Sequence, residues 1–283
     1  MFQFPEKYHI ALVAPAGPCP PETVAAGKAV LESCGCRVTL MPHLFCGTSL
    51  SHLAADDSGR AADINNAFAD ESVDLVWAVR GGCGAMRILD LLDWQMIKNR
   101  DIPLAGFSDI TALHWAMAKH DCPNHLAAPM MTFLSAADDS LSGETLFQAL
   151  CGEKISLKLQ PLRRGEVSGT PLPGNLAVAA AMCGTPYFPD TSGKVVILEE
   201  INEAPYRVDR MLTQLRLAGA FAECAGVVFG RFTGCGSADE LGEVLHDFTA
   251  HVSCPVYTGL PCGHELPFYS ISGRQEISVT PQC

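Results

Sequence analysis

The sequence predicts an α/β protein: a parallel sheet covered on both faces in the first half, followed by a second domain. Three observations carry that expectation. Short apolar runs rich in Val, Leu, Ile and Ala recur along the first half and alternate with helical patterns, as strands buried on both faces require. The chain has 283 residues, 48% hydrophobic and 18% charged, enough to fill one large core or two modest ones. No apolar run approaches the ~20 residues of a membrane helix, so this apolar content belongs to a core.

The elements follow in order. Residues 8–14 read as the first strand, closed by Pro15-Ala16-Gly17-Pro18. A helix is predicted over 22–34, with Val24, Ala25, Val30 and Leu31 on one face. Residues 37–41 are the second strand. A polar segment over 51–59 leads into a helix over 60–68, and 73–79 is the third strand. Residues 102–105 give a fourth and 126–129 a fifth. The pattern weakens over 138–168, where Ser140, Ser142, Gly143 and Gly152 punctuate it and 154–159 alternates as an exposed strand. A linker is placed there, between a first domain of 1–137 and a second of 169–283. The second half shows a helix after Gly174-Asn175, a strand over 195–198 and a helix over 208–217. A strand over 225–230, a helix over 239–251 and a strand over 255–257 follow.

Composition removes several function classes. A formal net charge of −12 repels nucleic acid and anionic membranes. Residues 1–7 include Pro5 and Glu6 and lack the basic, apolar plan of a signal peptide, so a cytoplasmic protein is expected. The 13 cysteines are scattered without a C-x-x-C pair, and Cys34-Gly-Cys36 is spaced too closely for a zinc knuckle. Reduced thiols, no metal and no cofactor are the expectation.

Four segments carry chemistry. Gly106-Phe107-Ser108-Asp109-Ile110 turns a strand sharply into a helix, which lifts the Ser108 hydroxyl above the sheet edge beside free N–H groups that can stabilise negative charge. The same pattern also suits a plain N-cap at Ser108 or Asp109. Val79-Arg80-Gly81-Gly82-Cys83-Gly84 ends a strand in glycines that let backbone approach a ligand; no dinucleotide or P-loop fingerprint follows, which disfavours a nucleotide-dependent oxidoreductase. Glu199-Glu200 ends the strand over 195–198, where sheets of this kind place ligands. His264 sits in the loop Gly259-Leu260-Pro261-Cys262-Gly263-His264-Glu265. Serine, acid and histidine are the set that nucleophilic acyl chemistry needs: a hydroxyl, an imidazole to take its proton, and a carboxylate to hold the imidazole tautomer.

Together these segments resemble the LD-carboxypeptidase (muramoyl-tetrapeptide carboxypeptidase) family, which also includes microcin C immunity peptidases. The resemblance runs in order through Ala11–Gly17, Val79–Gly84, Gly106–Leu113, Gly174-Asn175-Leu176, Ile197–Glu203, Tyr206–Leu215 and Gly263-His264. It implies a Rossmann- or flavodoxin-like first domain, a smaller β-rich α+β second domain, and a homodimer with the active site between domains. It implies a triad of Ser108, Glu199 and His264, with an oxyanion hole from the amides of Gly82 and Asp109. The implied reaction removes the terminal D-Ala from L-Ala-γ-D-Glu-meso-diaminopimelate-D-Ala in murein recycling. A terminal carboxylate must also be bound; Arg80 and Arg207 are candidates, although Arg207 can instead pair with Glu203 one helical turn back. Cys83, Phe107, Ala128-Pro129 and Pro173-Gly174 depart from the family pattern; of these Cys83 and Phe107 border the expected pocket. Two other readings stand beside this one: a microcin C-type immunity peptidase acting on an aminoacyl-nucleotide, and a non-catalytic binder of small ligands.

Overall fold

A computed structural model describes residues 2–4, 8–134 and 140–282. Most of the N-terminal segment 1–7 and the expected linker start at Asp138 lie outside the described residues. The first half builds β1 (His9–Val13), α1 (Pro21–Ser33), β2 (Arg37–Leu40), α2 (Asp57–Ala69) and β3 (Leu75–Ala78). It continues with α3 (Trp94–Asn99), β4 (Leu104–Gly106), α4 (Thr111–Lys119), β5 (His125–Ala127), α5 (Met131–Leu134) and α6 (Ser140–Leu150). The second half builds β6 (Ile155–Arg163), β7 (Val167–Asn175), α7 (Leu176–Ala181), β8 (Lys194–Ile201) and α8 (Pro205–Leu217). Then come β9 (Gly226–Thr233), α9 (Ala238–Ala250), β10 (Val256–Thr258), β11 (Ile271–Ser272) and β12 (Ile277–Pro281).

The first sheet has the order β11-β5-β4-β3-β1-β2. Strands β1 to β5 are parallel; β11 joins antiparallel to β5 at Ile271↔Ala127. The order 2-1-3-4-5 is the doubly wound arrangement whose strand order reverses beside β1, and such sheets bind ligands at the carboxyl ends of their strands. Strands β1, β3, β4 and β5 are buried throughout, as the apolar runs predict. One face packs α1, α5 and α6 through Val24, Leu31, Met131 and Leu146; the other packs α2 and α4 through Ile64, Phe68, Leu113 and Trp115.

Local differences from the sequence reading have local causes. Helix α2 begins at Asp57, earlier than the predicted 60, because the Asp56 carboxylate caps it by accepting from the Gly59 N–H at 2.7 Å. Ala25 is exposed, and Gly27 rather than Ala25 lies in the buried row of α1 with Val24 and Leu31. The fourth and fifth strands are shorter than their predicted runs, at 104–106 and 125–127.

The second half forms a closed barrel, β10-β6-β12-β7-β8-β9. The segment 138–168, expected as a linker, carries α6 and β6, and β6 is a barrel strand bonded to β10 and β12. Its residues alternate buried and exposed over 155–160, as a barrel wall does. The two halves share one core. Trp115 of α4 is fully buried, its indole N–H donates to Pro173 O of β7 at 3.1 Å, and its cluster continues into Leu172, Leu176 and Ile197 of the barrel. No helix among the described residues is long and apolar enough to cross a membrane.

Candidate active site

Strand β4 ends at Gly106, and Ser108 follows with φ of 61°, a left-handed conformation that costs a non-glycine residue energy. A 3-10 turn over Ser108–Ile110 then feeds α4. No side chain caps that turn; Ser108 Oγ points elsewhere, so the N-cap alternative for Ser108 does not describe its bonding. Gly81, at the end of the neighbouring β3 segment, lies against this serine: a Cβ on Gly81 would stand 3.0 Å from Ser108 Cβ, 3.2 Å from its Oγ and 3.3 Å from the Asp109 amide nitrogen. Glycine permits that approach without displacing the serine. Its loop is anchored, since Gly17 N–H donates to Gly81 O at 2.9 Å and the buried Arg60 donates to Gly84 O at 2.9 Å and to Pro15 O. Asp109 is buried and accepts from the Ala85 N–H at 2.8 Å; burial pushes its carboxyl above the usual range.

The barrel supplies the rest. Glu199, in β8, is 4% exposed. His264, from the loop after β10, bridges the two halves. Its Nδ1–H donates to Glu199 Oε2 at 2.8 Å, and its Nε2 accepts from the Ser108 hydroxyl at 3.1 Å. The carboxylate at Nδ1 fixes the tautomer that leaves Nε2 free to accept. The Phe107 ring packs against His264 with centroids 4.8 Å apart, and Phe268 lies 5.0 Å from Phe107. Three residues widely separated in sequence thus make one hydrogen-bonded line from hydroxyl to carboxylate, with the geometry for proton transfer out of the serine.

Behind Glu199 stands a polar arrangement that the sequence reading missed. Asn175 donates through Nδ2 to Glu199 Oε1 at 3.2 Å and to Glu200 Oε1 at 2.9 Å. Its Oδ1 caps α7 by accepting from Val178 N–H, and its own N–H donates to Thr111 Oγ1 of α4 at 2.8 Å. Glu200, 2% exposed, also accepts from the amides of Ala177 at 2.7 Å and Ile201 at 2.8 Å. Burial pushes the Glu200 carboxyl up, and those donors act against that shift. The second acid of the pair is therefore a buried anchor. A lone Asn after Gly174 in sequence announces an N-cap; that it also bridges two carboxylates needs the β7–β8 register, which pairs Asn175 with Glu199. Ser108, Thr111, Asn175 and Glu199 line a cavity of only about 10 Å³.

Arg80 and Arg207, the expected carboxylate binders, make no hydrogen bond to this line. Arg80 is exposed and donates to Pro18 O at 2.7 Å, beside a cavity of about 390 Å³ walled by Pro18, Pro20, Leu44 and Phe45. Arg207 pairs with Glu203 at 2.8 Å within α8. Cys83 is exposed, whereas Phe107 is buried. No cluster of three or more His, Cys, Asp or Glu among the described residues could hold a metal ion.

Residues 10–125 match the model of the LD-carboxypeptidase N-terminal domain, and 168–277 that of the LD-carboxypeptidase C-terminal domain. The chain is 30% identical over 271 residues to a murein tetrapeptide carboxypeptidase of Pseudomonas aeruginosa, covering 90% of this chain and 87% of that protein. The crystal structure of a muramoyltetrapeptide carboxypeptidase from Oxalobacter formigenes superposes with a TM-score of 0.87 at 28% identity, covering 97% of this chain and 95% of that one. An MccF-like protein from Bacillus anthracis has the same fold, with a TM-score of 0.90 at 19% identity over 99% of this chain and 95% of that one. Two domain models matched in order, one on each side of the hydrogen-bonded line, leave one assignment: the chain belongs to the LD-carboxypeptidase family.

Proposed function

We propose that the protein is a cytoplasmic serine LD-carboxypeptidase that removes the terminal D-Ala from the murein tetrapeptide L-Ala-γ-D-Glu-meso-diaminopimelate-D-Ala during peptidoglycan recycling. The observation that carries this reading is the continuous line Ser108 Oγ, His264 Nε2, His264 Nδ1, Glu199 Oε2, at 3.1 and 2.8 Å. Ser108 Oγ attacks the carbonyl of diaminopimelate, and its proton passes to His264 Nε2. The imidazolium, held by Glu199, then protonates the departing D-Ala amine. Water repeats the sequence on the acyl-enzyme, returning the proton to Ser108. The amides of Gly82 and Asp109 hold the oxyanion; the contact of Gly81 with both Ser108 and the Asp109 nitrogen supports that placement.

The substrate carboxylate goes to Arg80. Arg80 keeps donors beyond its bond to Pro18 O and is the chain neighbour of Gly81 in the loop after β3, whereas Arg207 is engaged by Glu203. By this reading the nucleophile belongs to the first domain and Glu199 and His264 to the second, which begins no later than β6. The protein acts as a homodimer, without metal or cofactor.

D-Ala release from purified tetrapeptide, wild type beside Ser108→Ala, tests the reading. Release by wild type alone is expected. Release by both removes Ser108 as the nucleophile. Release by neither, with turnover of an aminoacyl-sulfamoyl adenylate, moves the substrate to the nucleotide conjugates.

A further inference from the structure

The base of the proposed line sits on a loop, and loops are mobile unless tied down. Loop 261–269 is closed at its neck by the Tyr269 N–H, which donates to Pro261 O at 2.7 Å. Inside it stands one residue of β9. The Arg231 N–H donates to Cys262 O at 2.8 Å, and its Nη1 donates to Pro267 O at 2.8 Å and to Glu265 O. The three carbonyls so engaged flank His264 on both sides. A Cβ on Gly263 would stand 3.0 Å from Arg231 Cβ, so the loop also lies flat against this side chain. Strand β9 pairs with β8, which carries Glu199. The imidazole and the carboxylate that orients it are therefore both referenced to adjacent barrel strands.

We propose that Arg231 is a positioning residue for His264: it staples the loop so that the imidazole reaches Ser108 and Glu199 at once. Glu199 restrains one end of the ring, and the Phe107 edge restrains one side. Neither fixes the height of the loop over Ser108. Ser142 and Thr145 of α6 hold the far end of the loop at Phe268, and the staple holds the stretch next to the ring, Cys262 O through the Arg231 N–H and Glu265 O and Pro267 O through its guanidinium. The proposal rests on His264 being the base, and the test keeps the two claims apart.

Arg231→Met keeps an apolar stem and the backbone bond to Cys262 O and removes the side-chain bonds to Glu265 O and Pro267 O; Arg231→Lys keeps a cation that reaches fewer carbonyls. Two readouts are taken: kcat and KM for D-Ala release, and the downfield proton NMR signal of the His264 Nδ1–H, identified by its loss in His264→Asn. For Arg231→Met, kcat falls about ten- to a hundredfold with KM within about twofold, as a misplaced catalytic group predicts, and the Nδ1–H signal broadens away. Arg231→Lys recovers part of both. An unchanged kcat with a sharp signal overturns the proposal. So does a raised KM with kcat and signal retained, which is the mark of a substrate contact. If Arg231→Met does not fold, the lysine variant decides by the same signal. If wild type releases no D-Ala, the proposed function fails, while the signal in wild type and variants still decides the role of Arg231.

Discussion

Ser108 holds a left-handed backbone that glycine would hold without cost. The strain aims the hydroxyl at His264, so it belongs to the site rather than to stability. Two variants that the proposed mechanism makes inactive should therefore differ in stability. Ser108→Gly is expected to unfold at a higher urea concentration than Ser108→Ala, by about 1 kcal/mol, because only the alanine keeps the Cβ penalty. Equal midpoints would mean that the turn carries no strain. Asn175 gives a second test at this scale. Its amide lies between two buried carboxylates, and without it Glu199 and Glu200 face each other with no shared donor. Asn175→Ala is expected to lower stability by about 1–3 kcal/mol and kcat by at least tenfold. An active, fully stable variant would show that the bridge is dispensable. The hydrogen-bonded juxtaposition of Ser108, His264 and Glu199 was legible in sequence because each ends or follows a strand in a marked motif. Asn175 and Arg231 were not, because their roles lie in backbone and carboxylate partners that only strand register brings near.

Among elements, the parallel strands of the first sheet were legible because burial on both faces leaves a continuous apolar run. Strand β7 was not. Its sequence predicts no element, since Gly169, Pro171, Pro173 and Gly174 are all residues that strands disfavour. The structure shows why those residues are tolerated. Pro173 offers its carbonyl to Trp115, and Gly174 lets α4 approach β7: a Cβ there would stand 2.7 Å from Trp115 Nε1 and 2.8 Å from Thr111 Cγ2. Gly174→Ala is expected to cost about 1–3 kcal/mol by overpacking, measured as a lowered midpoint in urea. No loss would mean that α4 can shift freely against the barrel. Strand β11 escaped notice for a simpler reason: two residues carry no readable period.

For the whole molecule, the shared core makes stability a common property, and two buried histidines give it a pH dependence. Burial pushes His114 down to about 4 and His125 down to about 3, and their rings lie 6.0 Å apart. Both are neutral when folded and titrate near 6.5 when unfolded. Between pH 6.5 and about 4 the unfolded chain thus binds more protons, so stability falls as pH falls. Each ring contributes about 1.4 kcal/mol per pH unit in that window. Asp109 and Glu200, raised by burial, act in the opposite sense just above the ordinary carboxylate range. Urea midpoints from pH 7 to pH 5 are expected to fall, and His125→Gln to reduce the slope by about half. A slope unchanged in that variant would place the proton uptake elsewhere.

The distance along the chain between Ser108 and His264 also has a meaning in time. They stand 156 positions apart, and synthesis at about 5–20 residues per second leaves roughly eight to thirty seconds between them. Strand β11, which completes the edge of the sheet carrying Ser108, is made later still. A nascent chain therefore displays its serine long before it owns an imidazole to activate it. If His264 is the base of the proposed reaction, ribosome-bound chains arrested before residue 264 are expected to release no D-Ala from the tetrapeptide.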